Sequence, residues 1–468
     1  MIEELKPYSE YKESGQEWLG QLPAHWSLLP NRAIFEEVKD RKHPGDEMLS
    51  VTITRGVVRQ KTLLSDTSKK DSSNVNKSAY KLVQPGDIAY NKMRAWQGAL
   101  GASSLRGIIS PAYVVIRPMD KANSWFYHHL YRTPTFAKEA ERWSYGITSD
   151  MWSLRPEHFK MIYTVLPPPD EQAAIVRFLD HANRKIDRFI RAKRKLIALL
   201  GEQKQAIIHR AVTCGLNPNV PLKPSGIPWL GDIPEHWEVS PLRRRWRVTD
   251  CKHLTVPFIE DGIPLASVVE VKSFTLNLSR CKKTKPSWYH LLTDGDRKPN
   301  RGDLIYCRNA SVGACALVDT DVDFAMGQDV CMIRSKVQNQ RFLNFLMHSP
   351  FMDHQLELLL VGSTFKRINV ADIKALVVLV PPRTEQNAIC MHLDSNLAIY
   401  NTAIARTERE IALMQEYRTR LTADIVTGKL DVREAAAKLP DLPTDTDCSS
   451  DTKTQDEELF EEPESGEE

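Results

Sequence analysis

Apolar side chains recur every seven residues in two stretches of this chain. Leu179, Ile186, Leu200 and Ile207 mark the first, with Lys193 inside the series. Leu393, Tyr400, Met414 and Leu421 mark the second, with Thr407 in the matching place. Ile190, Ile197, Ile404, Ile411 and Ile425 widen the two stripes. Heptads of this kind predict long helices that pack seam to seam, with Lys193 and Thr407 weakening the seam but able to fix its register. Shorter patterns flank them. "DIAYNK" and "DLIYCR" each follow a Gly-Asp turn and predict buried strands. Residues 124–143 and 339–360 predict helical stretches. "MIYTVLPPP" and "ALVVLVPP" predict strands that stop at prolines, which cannot donate to a sheet ladder. The Asp-Glu-Gln or Thr-Glu-Gln that follows predicts a helix start, with acid in the first turn.

These patterns come in pairs. "SGQEWLGQLPAHWSL" (14–28) returns as "SGIPWLGDIPEHWEV" (225–239), with eight of fifteen positions identical. "QPGDIAYNKMR" (84–94) is answered by "NRGDLIYCRNA" (300–310), the hinge at 146–172 by 362–386, and "AIVRFLD" by "AICMHLD". Two copies this long are a duplication, not a solenoid. The expected fold class is mixed α/β. Tandem α/β domains at 14–169 and 225–382 are joined by helical regions at 170–213 and 383–432, and a tail covers 440–468. The linker at 214–224 is short, so the second helix must run back if it packs on the first. An antiparallel coiled coil with a pseudo-twofold axis follows.

Charge narrows the class. The net charge is +3, but residues 441–468 hold twelve acids and one lysine, so the rest carries +14. A basic body favours a polyanion such as nucleic acid, and the acidic tail is expected to be disordered. A scaffold holding two protein-binding heads fits the duplication as well. Salt-sensitive, sequence-selective binding to duplex DNA separates the two. No apolar run is long enough to span a membrane. The eight cysteines form no Cys-x-x-Cys pair, so no metal site is expected and a reducing, cytoplasmic setting is. Catalytic patterns are missing as well. There is no Asn/Asp-Pro-Pro-aromatic motif for amino methylation, and Gly428-Lys429 is followed by Leu430 rather than Ser or Thr.

The doubled "SGxxWLGxxPxHW" openings, the Pro-Pro-x-Asp/Thr-Glu-Gln hinges, the heptad helices and the pair "GDIAYNKMR"/"GDLIYCRNA" together resemble the specificity subunit of type I restriction-modification systems. The resemblance covers nearly all of residues 14–432. It implies two target recognition domains, each binding half of a split, asymmetric double-stranded DNA site. It also implies helices that set the spacing and recruit two methyltransferase subunits, with restriction/translocase subunits joining the complex. The chain itself is then non-catalytic and without cofactor, and S-adenosylmethionine, ATP and Mg belong to its partners. The tail after Pro440 lies outside the pattern.

Direct readout needs donors and acceptors at base edges, with phosphate anchors beside them. The candidates after the buried strands are Asn91, Lys92 and Arg94 in copy one, and Arg308, Asn309 and Ser311 in copy two. The loop before each hinge strand adds Tyr145, Thr148 and Ser149, and Thr364, Lys366 and Arg367. The run Arg243–Arg247 is a further phosphate candidate. Trp18, Trp26, Trp229 and Trp237 are expected to pack the start of each domain. His25 and His236 have no acid at catalytic spacing, so no general-base role is expected of them.

Overall fold

In the computed structural model, residues 5–65, 77–119, 121–146, 152–360 and 367–440 are described. The chain divides into two compact units. Unit 1 is Met1–Arg191 with Glu410–Glu468, and unit 2 is Ala192–Arg409. The division falls inside the long helices, so each unit holds part of both.

Unit 1 opens with β1 (Tyr11–Glu13), β2 (Gln21–Pro23), β3 (Ser27–Pro30) and β4 (Phe35–Val38). Next come β5 (Leu49–Thr52), β6 (Gly56–Arg59) and α1 (Gln60–Ser65), then β7 (Lys81–Val83) and β8 (Ile88–Asn91). β9 (Leu100–Ala102), β10 (Gly107–Ile109) and β11 (Tyr113–Pro118) complete the sheets. After α2 (Ser124–Tyr131), α3 (Pro134–Arg142) and α4 (Pro156–Met161), β12 (Tyr163–Leu166) leads into α5 (Pro169–Cys214). The principal sheet is antiparallel, in the order β4-β11-β8-β9, and β12 pairs with β3 beside it. "DIAYNK" is the buried strand β8, as its apolar run predicts. The stretch 124–143 is two helices, because Pro134 cannot continue the first and Thr133 caps the second.

Unit 2 repeats the frame. β13 (Leu222–Pro224), β14 (Asp232–Pro234), β15 (Glu238–Pro241) and β16 (Arg247–Asp250) open it. β17 (Ile263–Ala266), β18 (Phe274–Thr275), β19 (Lys283–Thr284) and α6 (Pro286–Thr293) have no aligned counterpart in the sequence of copy one. β20 (Leu304–Cys307), β21 (Cys315–Leu317), β22 (Ala325–Met326) and β23 (Val330–Arg334) precede the helices α7 (Gln340–Met347), α8 (Pro350–Leu360) and α9 (Val370–Ala375). β24 (Val377–Val380) and α10 (Arg383–Val426) follow, and α11 (Arg433–Ala437) returns to unit 1. The order β16-β23-β20-β21 matches that of unit 1, with β18 added at the edge, and β24 pairs with β15 as β12 does with β3.

The heptad positions are inside or half-inside. Leu179, Ile186, Leu393 and Leu421 are buried, and Leu200, Ile207, Tyr400 and Met414 are half-buried. Thr407 is buried with its hydroxyl donated to Ala403 O at 2.8 Å, so its polar atom is satisfied within the helix. In unit 1 the early turns of α5 and the late turns of α10 share one core with the body, and Asp187 pairs with Arg418. In unit 2 the late turns of α5 and the early turns of α10 do so, and Lys204 Nζ donates to Asn401 Oδ1 at 2.6 Å.

Three of the four opening tryptophans pack the domain starts. Trp26 and Trp237 are fully buried, and Trp18 sits edge-on to Phe136. Trp229 departs from the expectation. It is 44% exposed, with the ring of His354 4.7 Å away.

Half-buried imidazoles give both units a pH dependence. Ala102 N donates to His128 Nδ1 at 3.2 Å, and Phe274 N donates to His348 Nε2 at 3.3 Å. Burial holds both rings below the ordinary histidine value of 6.5, with His129 and Arg132 adding repulsion at His128. The unfolded chain therefore binds more protons than the native one as pH falls from 6.5 towards the folded values, so stability drops in that window. Urea midpoints at about pH 7.5 and about pH 5.5 should differ, and His128→Gln with His348→Gln should shrink the difference. Equal pH dependence in that variant would refute the assignment.

Candidate nucleic-acid interface

The two repeated phrases meet in space. In unit 1, Glu171 is buried at the start of α5 and accepts hydrogen bonds from Trp26 Nε1 at 2.8 Å and from the Tyr8 hydroxyl. His25 Nε2 lies 2.8 Å from its other oxygen. Burial, with Glu171 adding, pushes the Tyr8 hydroxyl far above its ordinary pKa. In unit 2, Glu385 faces Trp237 Nε1 at 3.1 Å and His236 Nε2 at 2.7 Å. The next residue fastens a second element. Gln172 Oε1 accepts from Asn123 N and Gln386 Oε1 from Asn339 N, each at 2.8 Å, holding the N-caps of α2 and α7. So the hinge acid does more than favour the helix dipole: it locks the opening phrase to the first turn of the helix. Both histidines have an acid partner after all, but within a structural lock. The glycine after each long helix lies against the lock. A Cβ on Gly428 would meet Pro23 and Trp26, and one on Gly215 would meet Trp237. Both glycines adopt left-handed φ, which also favours this residue.

This lock holds the frame from which the candidate readers project. In unit 1, Asn91 ends β8 opposite Tyr113 of β11. Its Oδ1 accepts from Met93 N at 3.0 Å, which turns the chain so that Arg94 is exposed. Leu154 N donates to Lys92 O at 2.9 Å, so the loop before the hinge strand is stitched to the end of β8. Unit 2 makes the matching stitch, Ile368 N to Arg308 O at 2.9 Å, and Asn309 bridges to Arg367. Two stretches singled out separately in the sequence thus form one corner in each unit. Tyr145 is 57% exposed beside the His158 ring at 4.9 Å. Thr148, Ser149, Thr364 and Lys366 lie outside the described residues. Ser311 is exposed, and its N–H donates to Asn309 O at 2.6 Å.

Arg308 departs from an exposed reader. It is 4% exposed, and its guanidinium lies 3.4 Å from both Asp250 Oδ2 and His253 Nε2. A guanidinium drawn inward in this way does not present its fork to a base edge, whereas Arg367 beside it is exposed and Asn309 half-buried. Asp250, Cys251 and His253 bring potential ligand atoms within 4.8 Å of one another. Arg308 already supplies a positive charge there, and burial raises the Cys251 thiol away from the thiolate a metal would need. The run Arg243–Arg247 is divided in its contacts. Arg245 pairs with Glu238 and Arg247 with Asp296, while Trp246 is buried with its N–H donated to Gln340.

Sequence reading missed the residues that set the charge of these corners. In unit 1 they are Lys39, Arg41 and Lys81: Arg41 bridges to Lys81, and Lys81 Nζ donates to Tyr113 O at 2.5 Å, next to Asn91. In unit 2 they are Asp250 and His253. The only sequence signal was the charged run "KDRKH" directly after a strand.

A duplicated α/β frame thus carries a loop corner of different charge in each unit. Residues 280–411 match the model of the type I restriction modification DNA specificity domain. The chain is 25% identical over 288 residues to the type I restriction enzyme MjaVIII specificity subunit of Methanocaldococcus jannaschii, covering 59% of this chain and 64% of that one, just under two thirds. It is 22% identical to the EcoKI specificity subunit of Escherichia coli K12, over 70% of each. A chain solved in work on complex assembly and conformational transition of the type I R-M system shares the fold, with a TM-score of 0.63 at 15% identity, over 87% of this chain and 99% of that one. The family that the sequence resembles is the one these matches name, the specificity subunits of type I restriction enzymes. Among the described residues no helix is long and apolar enough to cross a membrane.

Proposed function

We propose that this chain is the DNA-specificity subunit of a type I restriction-modification complex. Each unit reads one half of a bipartite, asymmetric duplex site. α5 and α10 run antiparallel as a spacer between the heads and recruit two methyltransferase subunits, and the restriction/translocase subunits join that complex. S-adenosylmethionine, ATP and Mg act on those partners, and this chain contributes recognition without catalysis. One observation carries the reading. The same lock and the same backbone stitch recur in both units, yet the corner they support bears Asn91, Lys92 and Arg94 in one and Asn309 and Arg367 in the other. A shared frame with divergent tips suits two different half-sites. The helix pairings seen inside each unit, Asp187 with Arg418 and Lys204 with Asn401, support the antiparallel spacer. Leu196, Leu199, Met391 and Ile399 in unit 2 and Leu413 in unit 1 are exposed apolar side chains on the helices, and they suit partner binding.

The test is selection of preferred sites from a randomised duplex pool by the assembled complex. Arg94→Ala should relax one half-site only, and Asn309→Ala or Arg367→Ala only the other. A good base contact contributes about 1–3 kcal/mol of discrimination. If all three variants degrade the same bases, the two-head reading fails.

A further inference from the structure

We propose that Lys39, Arg41, Lys81 and Lys92 in unit 1 form a seat for a phosphodiester of duplex DNA, and that the matching corner of unit 2 is closed to one. This rests on the DNA-binding reading above and adds where the backbone is held. Lys81 is the anchor. It is 7% exposed, with its ammonium donated to Tyr113 O at 2.5 Å, and among the described residues it has no second acceptor. An ammonium has three donors. The pairing of Arg41 with Lys81, and the bond from Leu82 N to Asp40 O at 2.9 Å, lay the segment 39–41 alongside.

The charges around it do not balance. Glu37 is the nearby acid, and it is shared by Lys160 at 2.9 Å and Lys39 at 3.6 Å. Asp40 turns to His43 at 3.0 Å. Burial lowers the Lys81 ammonium below its ordinary value; Glu37 opposes this, and Lys92, Arg41 and Lys39 add to it. Three cations around a buried fourth favour an anion joining them. A phosphate oxygen at the mouth of the corner, next to Asn91 and Arg94, supplies that anion. It would also set the register of the strand whose bases those residues face.

Unit 2 answers the same position differently. By the repeat, Lys92 corresponds to Arg308, and the residues after β4 correspond to those after β16. There Arg308 is buried against Asp250 and His253, and Arg367 lies 4.0 Å from Asp329. The charge is cancelled inside the protein, so a phosphate would gain little by entering.

The experiment uses the full chain and fluorescence anisotropy of labelled duplexes across a salt series. Arg41→Ala and Lys92→Met should each weaken a preferred and a random duplex by the same factor and flatten the salt slope by about one. Lys81→Met should do the same where circular dichroism shows it folded, and Arg41→Ala and Lys92→Met carry the test where it does not. The double variant Asp250→Asn, Arg308→Met removes a balanced pair and should leave the slope unchanged. Unchanged slopes in Arg41→Ala and Lys92→Met, with the wild type binding, overturn the seat and leave the functional reading standing. A loss confined to certain bases also overturns it. So does calorimetric binding of inorganic phosphate at constant ionic strength that competes with DNA, since the seat would then serve free phosphate. A wild-type chain that binds no duplex at any salt removes the functional reading and the seat together.

Discussion

Replacing Glu171 with alanine is expected to destabilise the chain by about 3 kcal/mol, because it strands the donors of Trp26 and Tyr8 in a buried site. Trp26 is fully buried and Tyr8 nearly so, and neither can turn its donor to water without unpacking the domain start. The Glu171 side chain is itself only 2% exposed. The equivalent Glu385 is 24% exposed and has two partners rather than three, so Glu385→Ala should cost less, about 1 kcal/mol. Urea unfolding of the full chain with each variant gives the comparison. Glu171→Gln keeps the oxygen that accepts from both Trp26 and Tyr8 but loses the charge and the oxygen facing His25, and should recover part of the loss. If Glu171→Ala were no worse than Glu385→Ala, the lock would not be what holds the opening of unit 1.

Periodic features were legible in the sequence because each arises from one local rule. β8 and β20 are unbroken apolar runs bounded by Gly-Asp turns, and they are buried strands. The heptads at Leu179 and Leu393 give helices of 46 and 44 residues, since a seam repeated that often leaves no other regular conformation able to bury it. The lock was not legible. His25 and Trp26 find their acid some 145 residues away, and only the fact that His-Trp and Glu-Gln are duplicated together hinted that they meet. Exposure at the reading corners was the hardest to foresee. Arg308 follows a strand as Lys92 does, and a residue after a strand reads as a loop tip. Asp250 and His253, brought alongside by β16 and β23, pull its guanidinium inward, and that pairing spans more than fifty residues. Lys81 gave no local signal at all. A lysine at a strand start reads as a solvated side chain, yet its ammonium reaches across to the carbonyl of β11. Local pattern therefore located the corners, while their charge depended on which strands became neighbours.

Lengthening both helices by one heptad is expected to change the gap between the half-sites and leave the half-sites themselves unaltered. Seven residues preserve the seam, because a and d positions return to the same face after one heptad. They add about 10 Å at 1.5 Å per residue, or roughly three base pairs at 3.4 Å of rise. The insertions belong at matched points in the middle of the two helices, near Lys193 and Thr407. An insertion in one helix alone would force the seam out of step and should reduce stability instead of changing the gap. The fastening at either end is untouched, since Glu171 and Glu385 lie in the first turns and Gly428 and Gly215 follow the last. Site selection from a randomised duplex pool, with the assembled complex, reads the gap and the bases in one measurement. A gap longer by about three base pairs with both half-sites intact fits a rigid spacer of this rise. An unchanged gap would mean that the helices do not set the distance between the heads, and altered half-site bases would mean that the insertion had reached the reading corners, so either result removes the spacer role proposed for α5 and α10.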